Sequence, residues 1–189
     1  MFVYKNKYFL IIESIKDIDL KNIKKRHKFT IIYRNQKNLD QKQDLLKFRN
    51  ECKEKAVDFY VANNLNLSTH LNSDGIYLSS YNKSFKALSL KKSNFRIIGS
   101  AHSQKEIYMK IKQGCEFIIF SKLFLVNYNL KAPFYGTTKF SNLLNNNENL
   151  IPLGGINSEN LNKLRIIKSK GFALMSEIKK KPAIIRRLF

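Results

Sequence analysis

The stretch FRIIGSAHSQKEIYMKIKQGCEFIIF, residues 95–120, carries the information that decides the fold. Phe95-Arg-Ile-Ile98 is a short, β-rich apolar run and reads as a buried strand. Ser103 to Lys112 reads as a helix, with Ser103 at its N-cap and Glu106 three residues on, the pattern of a capping box. Gly114 stops it, and Phe117-Ile-Ile-Phe120 is the next strand. Two strands separated by a helix, with no hairpin turn between them, form a parallel βαβ unit.

The same rhythm extends in both directions. Toward the N-terminus the strands are Tyr8–Ile12, Phe29–Tyr33, Phe59–Ala62 and Gly75–Leu78. Between them lie helical stretches at Asp17–Lys25, Gln41–Val57, Leu65–His70 and, before Phe95, Ser84–Lys91. In Gln41–Val57, Leu45, Phe48, Cys52 and Ala56 share one face at spacings of three and four. Toward the C-terminus a long loop from Ser121 to Gly136 leads to a helix at Thr137–Leu144. Strands at Leu150–Leu153 and Gly171–Met175 follow, with helices at Ser158–Ile167 and Ser176–Leu188, the last interrupted by Pro182. Eight short strands, apolar on both sides and each followed by a helical stretch, suit a parallel sheet covered by helices. The expected fold is a (β/α)8 TIM barrel forming a single domain over residues 1–189, with an open doubly wound sheet as the alternative. The length of 189 residues sits near the short end for such a barrel, where ~200 or more is usual.

An apolar fraction of 43% supports a packed core and excludes a disordered chain. No apolar run approaches the ~20 residues that span a bilayer, and no secretory signal pattern opens the chain. Cys52 and Cys115 have no metal-type spacing and read as reduced thiols, which points to the cytoplasm. The formal net charge is +21. The excess is mostly lysine, spread along the chain, with short clusters at Lys21–Arg26 and Lys179–Lys181. Nucleic-acid sites lean on arginine, so this pattern argues against nucleic acid as the main partner.

In a barrel of this kind the active site lies at the C-terminal ends of the strands. The residues that follow the strands are Arg34, Asn35 and Gln36; Asn63 and Asn64; Ser79, Ser80 and Asn82; Ser100 and His102; Lys122; Gly154, Gly155 and Asn157; and Ser176. Amides, hydroxyls and two cations dominate this set, and carboxylates are missing from it. Such donors fit a phosphate, with Gly154-Gly155 and Ser176 placed where barrels bind one. Ser100, His102 and Lys122 are the candidates for catalysis.

The segments Ile32-Tyr-Arg34, Asp74-Gly-Ile-Tyr-Leu78, Ile98-Gly-Ser-Ala-His-Ser103, Ile151-Pro-Leu-Gly-Gly-Ile-Asn157 and Gly171-Phe-Ala-Leu-Met-Ser176 resemble, in order and spacing, those of the thiamine phosphate synthase/TenI family. The resemblance implies a (β/α)8 barrel and a part in thiamine biosynthesis. Family members of the synthase type join a pyrimidine pyrophosphate to a thiazole phosphate with the help of magnesium; the TenI relatives are thiazole tautomerases. By position, Arg34 and Asn63 would meet the pyrimidine pyrophosphate and Ser100 the leaving group. Gly154, Gly155, Met175 and Ser176 would hold the thiazole phosphate. The chain also departs from the family. Gln36 replaces a lysine, Asn64 and Asn82 replace the two magnesium acids, and Val126-Asn-Tyr-Asn129 replaces a hydroxyl- and lysine-bearing segment. Lys122 stands where tautomerases have histidine. The resemblance therefore implies a thiazole- or pyrimidine-phosphate ligand, with magnesium needed only if synthase activity is kept. The alternatives are a catalytically degenerate ligand-binding or regulatory module and a basic nucleic-acid binder. Assembly into a homo-oligomer is left open.

Overall fold

A computed structural model describes residues 7–23, 27–35, 40–93, 95–126, 129 and 131–180. Eight parallel strands run through it: β1 (Lys7–Ile12), β2 (Phe29–Tyr33), β3 (Asp58–Ala62), β4 (Gly75–Leu78), β5 (Arg96–Ala101), β6 (Phe117–Ser121), β7 (Leu150–Leu153) and β8 (Gly171–Leu174). Their order in the sheet is β7-β6-β5-β4-β3-β2-β1-β8. The two outermost strands, β7 and β8, come within 8 Å of each other without joining in a ladder, so the barrel is nearly closed. This is the TIM-barrel fold expected from the sequence, and the open doubly wound sheet is excluded.

The strands bury both faces because the chain supplies apolar residues at both phases of the two-residue period. In β1, Phe9 and Ile11 point into the barrel, where they meet Ile32, Tyr60, Tyr77, Ile98, Phe117, Ile119, Ile151 and Ala173. Tyr8, Leu10 and Ile12 point the other way, into the layer between sheet and helices. Phe120 shows what seats a helix on that layer. It is fully buried, its ring lies edge-on to Tyr135 at 4.9 Å, and it packs against Phe140.

Among the described residues five α-helices cover the outside: α1 (Lys42–Glu54), α2 (Leu65–His70), α3 (Gln104–Lys112), α4 (Gly136–Asn146) and α5 (Ser176–Lys180). The rest of the expected C-terminal helix lies outside the described residues, as do Lys24–Arg26, Gln36, Asn127 and Tyr128. Three expected helices form only 3-10 turns. The stretch predicted over 17–25 gives Ile15–Asp17 and Leu20–Asn22, that over 84–91 gives Lys86–Ser93, and that over 158–167 gives Leu161–Arg165. Ser14, Asp19, Asn82, Ser84, Asn157 and Asn160 accept from backbone amides two or three residues away and fix the turns in which these segments start.

The N-terminal ends of the strands are tied by charge. Asp74 pairs with Arg49 at 3.0 Å and accepts from the Phe59 amide at 2.7 Å, while Asp58 pairs with Arg96 at 3.0 Å. These carboxylates stabilise the closed end of the barrel and leave the opposite end to the chemistry. Among the described residues no helix is long and apolar enough to cross a membrane.

Candidate functional site

A pocket of about 410 Å³ opens at the C-terminal mouth of the barrel. It gathers ten of the residues singled out from the sequence: Arg34, Ser79, Ser80, Ser100, His102, Lys122, Gly154, Gly155, Met175 and Ser176. They come from the ends of β2, β4, β5, β6, β7 and β8, so only barrel curvature can bring them together.

Gly154 and Gly155 have φ of 99° and 68°, the left-handed region that glycine enters without strain. Space demands them as well. A Cβ on Gly155 would lie 2.3 Å from the Leu125 carbonyl oxygen, and one on Gly154 would lie 3.2 Å from the Lys122 backbone. Asn160 Nδ2 donates to the Gly155 carbonyl at 2.7 Å and fixes the turn. The glycine pair therefore lets the loop carrying Lys122 pack against the end of β7. The helix expected at Ser158–Ile167, after this pair, is corrected: the first helical residue is Leu161, and it opens a 3-10 turn.

Ser100 is buried on the pocket wall and hydrogen-bonds the Tyr77 hydroxyl. Burial raises the Tyr77 phenol above the ordinary tyrosine range, while that bond and the positive Arg34 pull it down. His102 Nδ1 lies 2.8 Å from Ser121 Oγ. Glu106 accepts from the His102 backbone N–H at 2.6 Å, so its carboxylate serves the start of α3 and not the imidazole.

Asn63, Asn64 and Asn82 stand apart from the pocket lining. Asn63, at φ 58°, spends its whole amide on the rim. Its Nδ2 donates to Ser79 Oγ and the Tyr81 hydroxyl, and its Oδ1 accepts from the Ser79 amide and from Asn82 Nδ2. Asn64 caps α2 by accepting from the Leu67 amide at 2.9 Å, and it lines a separate cavity outside the barrel. Asn82 Oδ1 accepts from the Ser84 amide at 2.9 Å.

The mouth also holds groups that the sequence reading missed, and its picture of a carboxylate-free rim is corrected. Glu13 and Glu177 both line the pocket, with Lys179 beside them. Glu13 directly follows β1, so the rule that found the other site residues reaches it too. Lys179 is held by Glu13 at 2.6 Å and by Asp17 at 3.3 Å. Lys110 is the second omission. Its side chain is fully buried, and Nζ donates to the carbonyl oxygens of Ser79 and Asn82, each at 2.7 Å, and to Gln113 Oε1 at 2.8 Å. Gln113 in turn donates to Asn82 and Ser84. Together they clamp the 79–84 loop to α3. Burial pushes the Lys110 ammonium below the ordinary lysine range, against the weaker opposing pull of Cys115 and Glu106.

No curated protein matches this sequence. Among solved structures, a thiamine phosphate pyrophosphorylase from Pyrococcus furiosus matches with a TM-score of 0.73 at 16% identity, over 98% of this chain and 96% of that one. KGPDC from Streptococcus mutans matches with a TM-score of 0.63 at 8% identity, over 98% and 99%. At such identities the likeness establishes the barrel alone. Family membership comes from the sequence: residues 12–178 match the family model described as thiamine monophosphate synthase, and the chain belongs to that family.

Proposed function

We propose that the chain binds a phosphorylated thiazole, or the thiamine phosphate made from it, in the pocket at the barrel mouth. The observation that carries this reading is the convergence of Arg34, Lys122 and the Gly154-Gly155 turn on one pocket, in a chain of this family. Two cations and a glycine turn that brings backbone amides close form a donor set suited to a phosphate. The hydroxyls of Ser100 and Ser176 complete it, and Met175 and Tyr77 offer apolar surface to a ring.

Titration calorimetry with thiazole phosphate and with thiamine phosphate tests the reading. Binding should be measurable with at least one of the two, and Arg34→Gln should weaken it by roughly tenfold or more, the worth of a charge-assisted hydrogen bond. The absence of heat with both ligands would dismiss the reading.

A specific observation favours a second reading, in which the barrel binds but does not join the two halves of thiamine. A hard dication prefers charged oxygen ligands. At the positions of the family's two magnesium acids, Asn64 caps a helix and Asn82 holds the 79–84 loop. The residues present there do not fit magnesium. On this reading, an assay of thiamine phosphate formation from both phosphorylated precursors gives no product, whether or not magnesium is added. Magnesium-dependent product formation would refute it.

A further inference from the structure

Two buried polar atoms on the wall of the mouth pocket lack a hydrogen-bond partner among the described residues: Arg34 Nε and Glu177 Oε1. One is the N–H of a guanidinium, the other an oxygen of a carboxylate. A buried group left in this state is costly, so the pocket is arranged for a ligand that supplies both partners. The remaining charges sharpen the point. Lys179 and Glu13 satisfy each other at 2.6 Å, with Asp17 also on Lys179. That leaves Arg34 Nε as the unpartnered donor for a ligand's anion and Glu177 Oε1 as the unpartnered acceptor.

We propose that Glu177 makes this pocket selective for a cationic heterocycle carrying a phosphate: the anion is met by Arg34, and the positive ring by Glu177. A neutral thiazole phosphate satisfies only the first half of that arrangement and leaves the Glu177 oxygen buried against an uncharged ring. A quaternised thiazolium phosphate satisfies both. The proposal rests on the phosphate-heterocycle reading above and extends it to the charge state of the ring. It also gives Glu177 a role that the neighbouring Ser176 cannot fill, because a hydroxyl carries no charge to oppose a cation.

The test compares thiazole phosphate with its N-methylated, quaternary form by calorimetry, in the wild-type protein and in Glu177→Gln, with thermal melts to show that the variant is folded. The two ligands share the phosphate and differ in ring charge. Wild type should bind the quaternary form roughly tenfold or more tightly than the neutral one, as expected for a charge-assisted contact. In Glu177→Gln that preference should fall to about threefold or less, since the amide keeps the shape and loses the charge. An unchanged preference in a folded Glu177→Gln protein would overturn the proposal. So would equal gains in affinity for both ligands, which would show that Glu177 merely opposes the phosphate. If both ligands bind with no preference, this inference fails and the phosphate reading stands. If neither binds to wild type, both fail together.

Discussion

Gly155 carries two constraints at once: a φ of 68° and a neighbouring backbone that would sit 2.3 Å from any Cβ. Gly155→Ala must both strain the turn and displace the loop at Phe124 and Leu125, and the cost should be about 2–4 kcal/mol. Urea denaturation of the variant checks it, and a midpoint equal to wild type would show that the loop yields freely. The Gly-Gly pair was visible in the sequence, as were Arg34, Ser100 and Lys122 at strand ends. The partner that forces Gly155 to be glycine was not visible. It lies some thirty residues earlier in the chain, and only the parallel pairing of β6 with β7 brings the two together. Asn63 illustrates the opposite limit. Its position after β3 marked it as a ligand contact, yet its four hydrogen bonds are all internal to the rim.

Among the elements, α3 shows what periodicity reveals and what it hides. Its cap at Ser103 was legible from the spacing to Glu106, and Ile107 faces the core. The face continues through Lys110 and not through Ile111, which is half exposed. A residue-type scale ranks these two the other way round. Three acceptors from the 79–84 loop and Gln113 make the difference, and they become known only once the loop is placed. Lys110→Met would keep the volume and strand those acceptors, at a cost of about 2–3 kcal/mol in urea denaturation. The pH dependence has a definite sign. Burial lowers the folded-state value of Lys110, so between that value and the ordinary lysine range the unfolded chain holds a proton that the folded chain has released. The contribution of Lys110 to stability therefore rises with pH through that window. The gap between wild type and Lys110→Met should widen as pH climbs toward the ordinary lysine range. A gap that narrows would mean that the charged form is the one the fold prefers. Helix α4 offers a simpler case. Phe140 is fully buried against Phe120, and Phe140→Ala should cost about 3–5 kcal/mol, read as a lowered denaturation midpoint.

For the whole molecule, eight strands of alternating apolar residues with buried positions on both faces were enough to name the barrel. The turns outside it were harder to read. Ser, Asp and Asn at positions 14, 19, 82, 84, 157 and 160 fix the turns where these segments start, and apolar spacing does not tell a 3-10 turn from an α-helix. The site was half legible for a related reason. Residues just past a strand end, Glu13 excepted, were found by rule, whereas Tyr77, Glu177 and Lys179 reach the mouth from inside a strand or from the following helix. The charge of +21 is spread over the chain and does not explain selectivity at the pocket. There, both signs are present and one lysine is already neutralised by Glu13 and Asp17.

The most direct measurement is a crystal structure of the protein grown with thiamine phosphate. The account predicts the phosphate within hydrogen-bond reach of Arg34 and the Gly154-Gly155 turn, with the thiazolium ring against Glu177. A ligand seated elsewhere, or one whose phosphate points away from Arg34, would contradict it.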